Sequence, residues 1–197
     1  DAGLTVFSDA ADATASGASG DSNAILKGLF EHNYQGKALL LIVDQPAVER
    51  AQAAGEGATI TVPLGGALDP ERFTPLELEV TVQRLSNGEF VYENGTVGQG
   101  GPTAVLVTDN ISIVVTSGTI FVVGQQVYKA QGLDPQEFDL VVVKSPNGFR
   151  PYYDAITSTV VAVDVPGSTS ANLQSLPYTQ CVRPIFPLDD EVTSPFE

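Results

Sequence analysis

The first third of the chain alternates between apolar runs of strand length and a run with helical periodicity. Residues 4–9 are rich in β-branched and aromatic side chains and predict a strand. Residues 10–20 are almost wholly small or polar and predict a loop. The apolar positions of residues 25–30 then recur at helical spacing, and Asp21 or Ser22 is in the right place to cap the amino end of that helix.

A second strand and helix follow this first pair. Residues 32–36 end the first helix, and residues 37–43 form a continuously apolar run that is typical of a strand buried on both faces. Residues 45–54 predict a helix, with Pro46 in its first turn and Gly55 just past its end. Strand, loop, helix, strand and helix in this order indicate a βαβ unit.

The middle of the chain has a different pattern, in which short strands follow one another with only turns between them. Turn-forming residues occur at residues 86–88 and at 109–110, and residues 76–83 alternate between apolar and polar side chains. This pattern predicts antiparallel strands over residues 58–64, 76–84, 89–93, 103–108 and 111–116.

The last part returns to the α/β pattern. Residues 140–144 predict a buried strand, residues 149–156 a short helix and residues 160–165 a strand, and after Pro166 a surface tail with a frayed end is expected. With 197 residues, 43% of them hydrophobic, the chain is long enough for one domain over residues 1–197. The expected fold is α/β: a mixed or parallel sheet with flanking helices, interrupted by an antiparallel β excursion at about residues 58–123.

The charge balance limits the partners that this chain can have. Acidic residues outnumber basic ones by 24 to 9, which gives a formal net charge of −15. Such a charge repels phosphate backbones and anionic lipid, and no apolar run approaches the roughly 20 residues that span a bilayer. We therefore expect neither nucleic acid nor membrane as a partner. A lone cysteine, Cys181, favours a reducing compartment, and we expect the cytoplasm. No signal peptide is visible, but a trimmed terminus would look the same, so a signal on the native terminus stays an open alternative.

The sequence offers few ligands for a metal. A catalytic zinc site needs three protein ligands, usually with histidine among them, and this chain has one histidine, His32, at a predicted helix end. A histidine there interacts favourably with the helix dipole. Asp9 and Asp12 could bind a hard cation, but two acids beside a loop are more often solvated or capping. We assign no metal and no other cofactor to this chain.

A glycine-rich loop is the first candidate binding site. It contains Ser16, Gly17, Gly20, Asp21 and Ser22 and leads from a predicted strand into a predicted helix. Such a turn offers free backbone N–H groups and the positive end of a helix dipole, where a carboxylate or phosphate can bind. The alternative is a tight connection in which Asp21 already caps those amides.

The second candidate is the turn at residues 144–150, which follows a buried strand directly. Lys144, Ser145 and Arg150 fall where open α/β sheets bind their ligands, at the carboxyl end of a strand. The alternative is that Lys144 simply leaves the core for water while Pro-Asn-Gly forms a turn.

The two candidate sites are expected to lie together at one edge of the sheet. If their strands are parallel neighbours, the loop from Asp12 to Ser22 and the turn from Lys144 to Arg150 must emerge on the same side. Backbone N–H groups from the first and the two cations from the second could then hold a substrate carboxylate. In the competing account, Arg150 pairs with Asp12 or Asp21 and ties the loops together.

Several blocks of the sequence together resemble the C-terminal domain of the microcystinase C (MlrC)-like zinc metallopeptidases. They occur in the family's order and cover nearly the whole chain: residues 12–26, 63–66, 69–73, 101–104, 114–117, 132–135, 141–150, 176–178 and 183–189. The sequence departs from the family pattern at Ala13-Thr14, where many relatives have Asn-Pro, and at Gly148, where many relatives have a histidine before the Phe-Arg pair.

The resemblance implies that a larger N-terminal domain with the zinc ligands belongs in front of this one, in a zinc-dependent peptidase or amidohydrolase. This chain is then an accessory domain, inactive alone, that packs on the catalytic domain and helps to complete its cleft for a peptide or small-molecule substrate. The resemblance is also compatible with a protein that forms homo-oligomers. Two alternatives remain: a stand-alone module that binds a small molecule or anion, and a structural assembly domain whose loops are blocked by their own side chains.

Overall fold

The computed structural model describes residues 3–189 and 191–192. Within them it contains ten strands: β1 Leu4–Asp9, β2 Ala38–Val43, β3 Thr59–Leu64, β4 Leu76–Ser86, β5 Glu89–Val91, β6 Val97–Gln99, β7 Thr103–Thr108, β8 Ile111–Thr116, β9 Leu140–Val143 and β10 Thr157–Val163. Four α-helices accompany them: α1 Ala24–Glu31, α2 Gln45–Ala54, α3 Gln126–Lys129 and α4 Arg150–Tyr153. None of the described helices is long and apolar enough to cross a membrane.

Eight of the strands form one mixed sheet in the order β10-β1-β9-β2-β8-β7-β4-β3. The five strands from β10 to β8 are mutually parallel, and β7, β4 and β3 continue the same sheet with antiparallel pairing. The predicted α/β fold with a mixed sheet is confirmed. The antiparallel strands extend the sheet at one side, and β5 and β6 pair separately as a small hairpin.

The central strand β2 is buried along its whole length because helices or loops cover both faces of the sheet there. Helix α2 follows β2 immediately, and the predicted residues lie at its two ends. Asp44 accepts a hydrogen bond from the N–H of Ala47, Pro46 lies in the first turn, and Gly55 caps the carboxyl end.

Side chains on the two faces of the sheet form two separate cores. On one face, α1 and α2 pack Leu26, Leu29 and Val48 against Leu40 and Ile42 of β2. On the opposite face, side chains from α3, the start and end of α4, the β5–β6 hairpin and the sheet form a second core, which includes Tyr128, Phe149, Tyr153, Phe90, Leu39 and Leu41. Because β2 alternates its side chains between these cores, it is the strand that both layers share.

Some elements differ from the prediction. Helix α4 is shorter than predicted, β10 starts at Thr157 instead of residue 160, and α3 and β6 are elements that the sequence pattern does not predict. The predicted surface tail is largely exposed up to residue 189, with one 3-10 turn at Leu173–Ser175, and Thr169 holds it to the loop after β1 through the carbonyl oxygens of Ala10 and Ala11. The predicted frayed end at residues 193–197 lies outside the described residues.

Candidate functional site at the carboxyl edge of the sheet

The two loops singled out in the sequence do lie side by side. Strands β1 and β9 are parallel neighbours, with Ser8 opposite Val143, so the chain leaves both strands at the same edge of the sheet. The hydroxyl of Ser8 also donates a hydrogen bond to the backbone oxygen of Ser145, at 2.8 Å. The predicted contact between the loop after β1 and the turn after β9 is therefore confirmed.

A buried ion pair joins these loops. The ammonium of Lys144 contacts Oδ2 of Asp12, and the side chains are only 3% and 1% exposed. The same carboxylate accepts the N–H of Gly20 at 2.8 Å and the N–H of Ser22 at 3.0 Å. A buried charge is tolerated when it is paired and hydrogen-bonded, and Asp12 has both kinds of partner.

Asp12 thus occupies the backbone donors that the sequence offered to an external anion. The N–H groups of Gly20 and Ser22 point at a carboxylate of the chain itself, and the cation expected to assist them, Lys144, neutralises that carboxylate. The loop therefore carries its own anion, and the arrangement serves to fix its shape.

A second carboxylate lies beside this pair. Asp9, at the end of β1, accepts the N–H of Asp12 at 3.0 Å and is 1% exposed. Burial raises the pKa of Asp9 above its ordinary value, and the positive charge of Lys144 offsets that effect only in part. Two carboxylates and one ammonium therefore share this buried cluster.

The prediction that Asp21 or Ser22 is the cap residue of α1 is wrong for both residues. Oδ2 of Asp21 accepts the N–H groups of Leu68 and Asp69, at 2.7 and 2.8 Å, so it anchors the loop after β3. The residue at the cap position is Asn23, although its side chain makes no capping bond. Ser22 makes only a long contact, 3.3 Å, from the N–H of Ala24 to its hydroxyl.

Asp44 is a residue of this edge that sequence reasoning did not single out. It follows β2, is 3% exposed, and accepts the N–H of Gly65 at 2.8 Å besides capping α2. Burial raises its pKa as well. The capping role was readable from an Asp directly before Gln-Pro, but the contact with Gly65 brings together residues from different elements and had no local signal.

Three of the remaining candidates have different surroundings. Ser145 is buried, and its hydroxyl accepts the N–H of Gly148 at 2.8 Å, which closes the turn after β9. Ser16 and Gly17 lie exposed at a 3-10 turn and take no part in the Asp12 cluster. The structure therefore brings together Asp12, Gly20, Ser22 and Lys144 but not these three.

The predicted pairing of Arg150 with Asp12 or Asp21 is wrong. Arg150 starts helix α4, and its guanidinium lies 3.7 Å from Asp154, one turn further along, in an exposed pair. It also lies over the ring of Phe149, 5.5 Å from the centroid. In the described part of the chain it makes no hydrogen bond or ion pair with the loop after β1, because helix geometry directs its side chain along the surface of α4.

Residues 117–125, which follow β8 and which we call the crossing segment, bond to both loops that contain Asp9, Asp12 and Lys144. We call these three buried residues the covered cluster. The carbonyl oxygen of Val122 accepts the N–H of Lys144 at 2.9 Å, and that of Ile120 accepts the hydroxyl of Thr14 at 2.7 Å. The segment thereby links the ends of β8 and β9 with the loop after β1. The crossing segment therefore lies against the covered cluster, whose three charged side chains are buried.

Beyond this segment the edge opens into a cleft, which we call the hairpin cleft. Its volume is about 330 Å³, and its lining includes Tyr92, Glu93, Val97, Phe121 and Tyr152. Val97 is 69% exposed and Phe121 is 51% exposed. This cleft is not predictable from the sequence, because neither the position of the β5–β6 hairpin nor the exposure of Phe121 follows from the local pattern of residues.

The residues that the structure describes contain no group of three His, Cys, Asp or Glu side chains arranged to hold a metal ion. His32 lies at the carboxyl end of α1, where its backbone N–H is bonded to Gly28 and Phe30. The carboxylates of the covered cluster are held by backbone N–H groups and by Lys144.

Comparisons with known proteins agree with this architecture. The family model described as MlrC C-terminus matches residues 7–180. Microcystinase C from a Sphingomonas species is 23% identical over 184 residues, which cover 93% of this chain and 36% of that protein. The crystal structure of a "putative metallopeptidase" from Mesorhizobium sp. BNC1 is 31% identical, with a TM-score of 0.85, and the match covers 98% of this chain and 40% of that one.

The family match covers most of the chain, the blocks that carried the resemblance fall almost entirely within it, and the fold agrees with that of a solved relative. The chain spans less than half the length of each of these two relatives. It therefore belongs to the MlrC C-terminal domain family.

Proposed function

We propose that this chain is the accessory C-terminal domain of a larger metallopeptidase, where it packs on the catalytic domain and completes the substrate cleft. One observation carries the proposal: the chain corresponds to only 36% of microcystinase C and 40% of the solved relative. The reacting groups then belong to the larger remainder, and so does the zinc ion. The substrate is a peptide or a related small molecule.

The chemistry of the carboxyl edge supports an accessory role. Asp9, Asp12 and Lys144 are buried and are bonded to one another or to backbone amides. Groups in such surroundings fix loops and do not contact a substrate. The edge is therefore suited to present a rigid surface to another domain, while that domain supplies the chemistry.

The tail supplies a surface for packing. Five large apolar side chains within it are well exposed: Leu173, Tyr178, Val182, Ile185 and Phe186, with Val182 at 86%. Residues 183–189 of the tail form a closed loop, because Arg183 binds the carboxylate of Asp189 through two nitrogens and Asp189 also accepts the N–H of Ile185. A defined loop with exposed apolar side chains is typical of a contact with another protein surface.

Association of the two parts tests the proposal. The N-terminal part of the full-length gene product and this chain are expressed separately and mixed, and binding is measured by calorimetry. We expect a complex that Val182→Asp and Phe186→Asp each weaken at least tenfold. Val91→Asp is the matched control, since Val91 is 54% exposed but lies on the β5–β6 hairpin.

Metal analysis completes the test. After dialysis, zinc is expected with the N-terminal part at one ion or more per molecule, and not with this chain. An absence of any complex between the parts, or stoichiometric zinc on this chain alone, would contradict the proposal. Binding of a small molecule by this chain without any association would favour a stand-alone binding module.

A further inference from the structure

The hairpin cleft has walls from three separate parts of the chain. One wall is the tip of the β5–β6 hairpin with Tyr92 and Val97, the second is the crossing segment with Phe121, and Tyr152 contributes from α4. The volume of about 330 Å³ lies at the lower end of the range of about 300–1,000 Å³ for small-molecule sites. It has room for a group the size of a dipeptide.

Hydrogen bonds between the walls fix the shape of the cleft. The hydroxyl of Tyr92 accepts the N–H of Phe121 at 2.9 Å, which joins the hairpin to the crossing segment. Glu93 accepts the N–H of Gln126 at 2.9 Å and also binds the N–H of Gln125. The ring of Tyr92 packs edge-to-face on the buried Phe90, with centroids 4.6 Å apart. A cleft held in this way is ready before a ligand arrives.

Glycine is required behind one of these walls. A Cβ atom at Gly98 would lie 2.5 Å from the ring of Phe90, closer than real side chains approach. Because position 98 has no side chain, the Phe90 ring can lie inside the hairpin and support Tyr92. The aromatic wall therefore depends on the hairpin sequence itself.

The charge of the cleft selects against anions. Among the residues that the structure describes, Glu93 is the only charged one in its lining, and the chain as a whole carries a net charge of −15. The rings of Tyr92, Phe121 and Tyr152 offer apolar contact and, through their faces, attraction for a cation. The donors for an anion predicted in the loop after β1 are already bound to Asp12.

We propose that the hairpin cleft binds a peptide segment in which an aromatic or large aliphatic side chain lies next to a positively charged group. The side chain packs between Val97 and Phe121, and the cation lies beside Glu93. The identification of the ligand as a peptide rests on the proposed function as a peptidase domain. The preference for an apolar group next to a cation rests on the cleft alone.

Short blocked peptides test this inference on the chain itself. We use acetyl-phenylalanyl-arginine amide, with acetyl-phenylalanyl-glutamate amide and acetyl-alanyl-arginine amide as comparisons, in a ¹H–¹⁵N NMR titration. The first peptide is expected to bind at least tenfold tighter than either of the others. Shifts should concentrate in residues 92–99 and 119–123.

Two substitutions separate the contributions. Phe121→Ala should weaken the phenylalanyl-arginine peptide at least tenfold, because it removes one wall. Glu93→Gln should reduce the preference for arginine over glutamate while retaining the preference for phenylalanine over alanine. Val91→Ala, on the same hairpin but outside the cleft, should change neither, and circular dichroism checks that each variant is folded.

Saturable shifts that map elsewhere, equal binding of the arginine and glutamate peptides, or full affinity in Phe121→Ala would each overturn the inference. The titration uses this chain without the N-terminal part, so its outcome is independent of the association experiment. If the peptide binds but the two parts do not associate, the inference about the cleft stands and the accessory role is rejected. If the two parts associate but the peptide does not bind, the accessory role stands and the inference about the cleft is rejected.

Discussion

Two regions at one edge of the same sheet use their side chains in opposite ways. In the covered cluster, Asp9, Asp12 and Lys144 are buried, and their polar atoms are bonded within the domain. In the hairpin cleft, Val97 and Phe121 remain exposed although they are apolar. The comparison shows that charged residues after strand ends can be buried and bonded within the fold, so that their position alone does not indicate a binding site.

Removal of Lys144 should have the largest effect on stability. Lys144→Ala leaves the carboxylate of Asp12 buried without its cation, and losing one partner of a buried pair typically costs about 3–5 kcal/mol. The free energy of unfolding from urea titration at neutral pH measures the loss. The double variant Asp12→Asn/Lys144→Met should recover part of it, since no unpaired charge remains at that position.

A loss below about 1 kcal/mol for Lys144→Ala would mean that the pair contributes little. The covered cluster and the cleft would then be equally tolerant of substitution, and the comparison between them would fail.

Gly20→Ala should have the next largest effect. Gly20 has a φ of 82°, and a Cβ there would lie 2.7 Å from Thr14 and 2.8 Å from Val43. Backbone strain and crowding together predict a loss of about 1–3 kcal/mol in the free energy of unfolding.

Gly17→Ala is the matched control for this substitution. Gly17 has a φ of 98° but has nothing within 4 Å of a Cβ, so only the strain remains. Its loss should be smaller, about 1 kcal/mol. Equal losses in both variants would show that the close packing around Gly20 has no energetic weight.

Asp9→Asn should change the free energy of unfolding by less than the substitutions at Lys144 and Gly20, and its effect should depend on pH. Burial raises the pKa of Asp9 in the folded state, so its ionisation above that pKa destabilises the fold, and below the unfolded value near 3.8 the penalty is absent. Asp9→Asn removes the charge but keeps an oxygen to accept the N–H of Asp12. The variant should gain stability relative to the native protein at neutral pH.

That gain should shrink as the pH is lowered from the raised pKa towards 3.8. Urea midpoints at several pH values for both proteins measure it, and the raised pKa of Asp44 cancels because both proteins contain that residue. A difference between the two proteins that grows on acidification would contradict the assigned cause.

The smallest effects are expected outside the covered cluster. Arg150→Ala breaks an exposed pair with Asp154, and Phe121→Ala removes a side chain that is 51% exposed. Each should change the free energy of unfolding by no more than about 0.5–1 kcal/mol. Thermal melts of both variants beside Lys144→Ala give the comparison directly, and a Phe121→Ala loss as large as that of Lys144→Ala would reverse it.

Much of the fold was predictable because local signals were strong. The antiparallel strands at Thr103–Thr108 and Ile111–Thr116 have the predicted bounds, since Asp109-Asn110 forms a sharp turn in which Asp109 has a φ of 47°. Helix α3, with four residues, is too short to show periodicity. Strand β10 began earlier than predicted because both of its faces are partly exposed and its residues do not alternate.

The candidate site was predictable only in part. Two loops after buried parallel strands must meet at one edge, and that argument correctly placed Lys144 beside the loop after β1. It could not show which of the two cations, Lys144 or Arg150, contacts the loop after β1, because the direction of the Arg150 side chain depends on where α4 begins. Nor could it show that the carboxylate of Asp12 accepts the N–H groups of Gly20 and Ser22, since those hydrogen bonds depend on the folded shape of the loop.

The position of β1 in the sheet has a consequence for how the chain folds. Its two neighbours, β9 and β10, come from residues 140–163, so β1 has no partner until nearly the whole domain has been synthesised. Strands β2 to β8 can pair earlier, because their partners lie within residues 38–116. On the ribosome the antiparallel half is therefore expected to form first, with β1 inserted last. Such late, long-range closure is typical of slow folding and exposes an apolar strand to aggregation in the meantime.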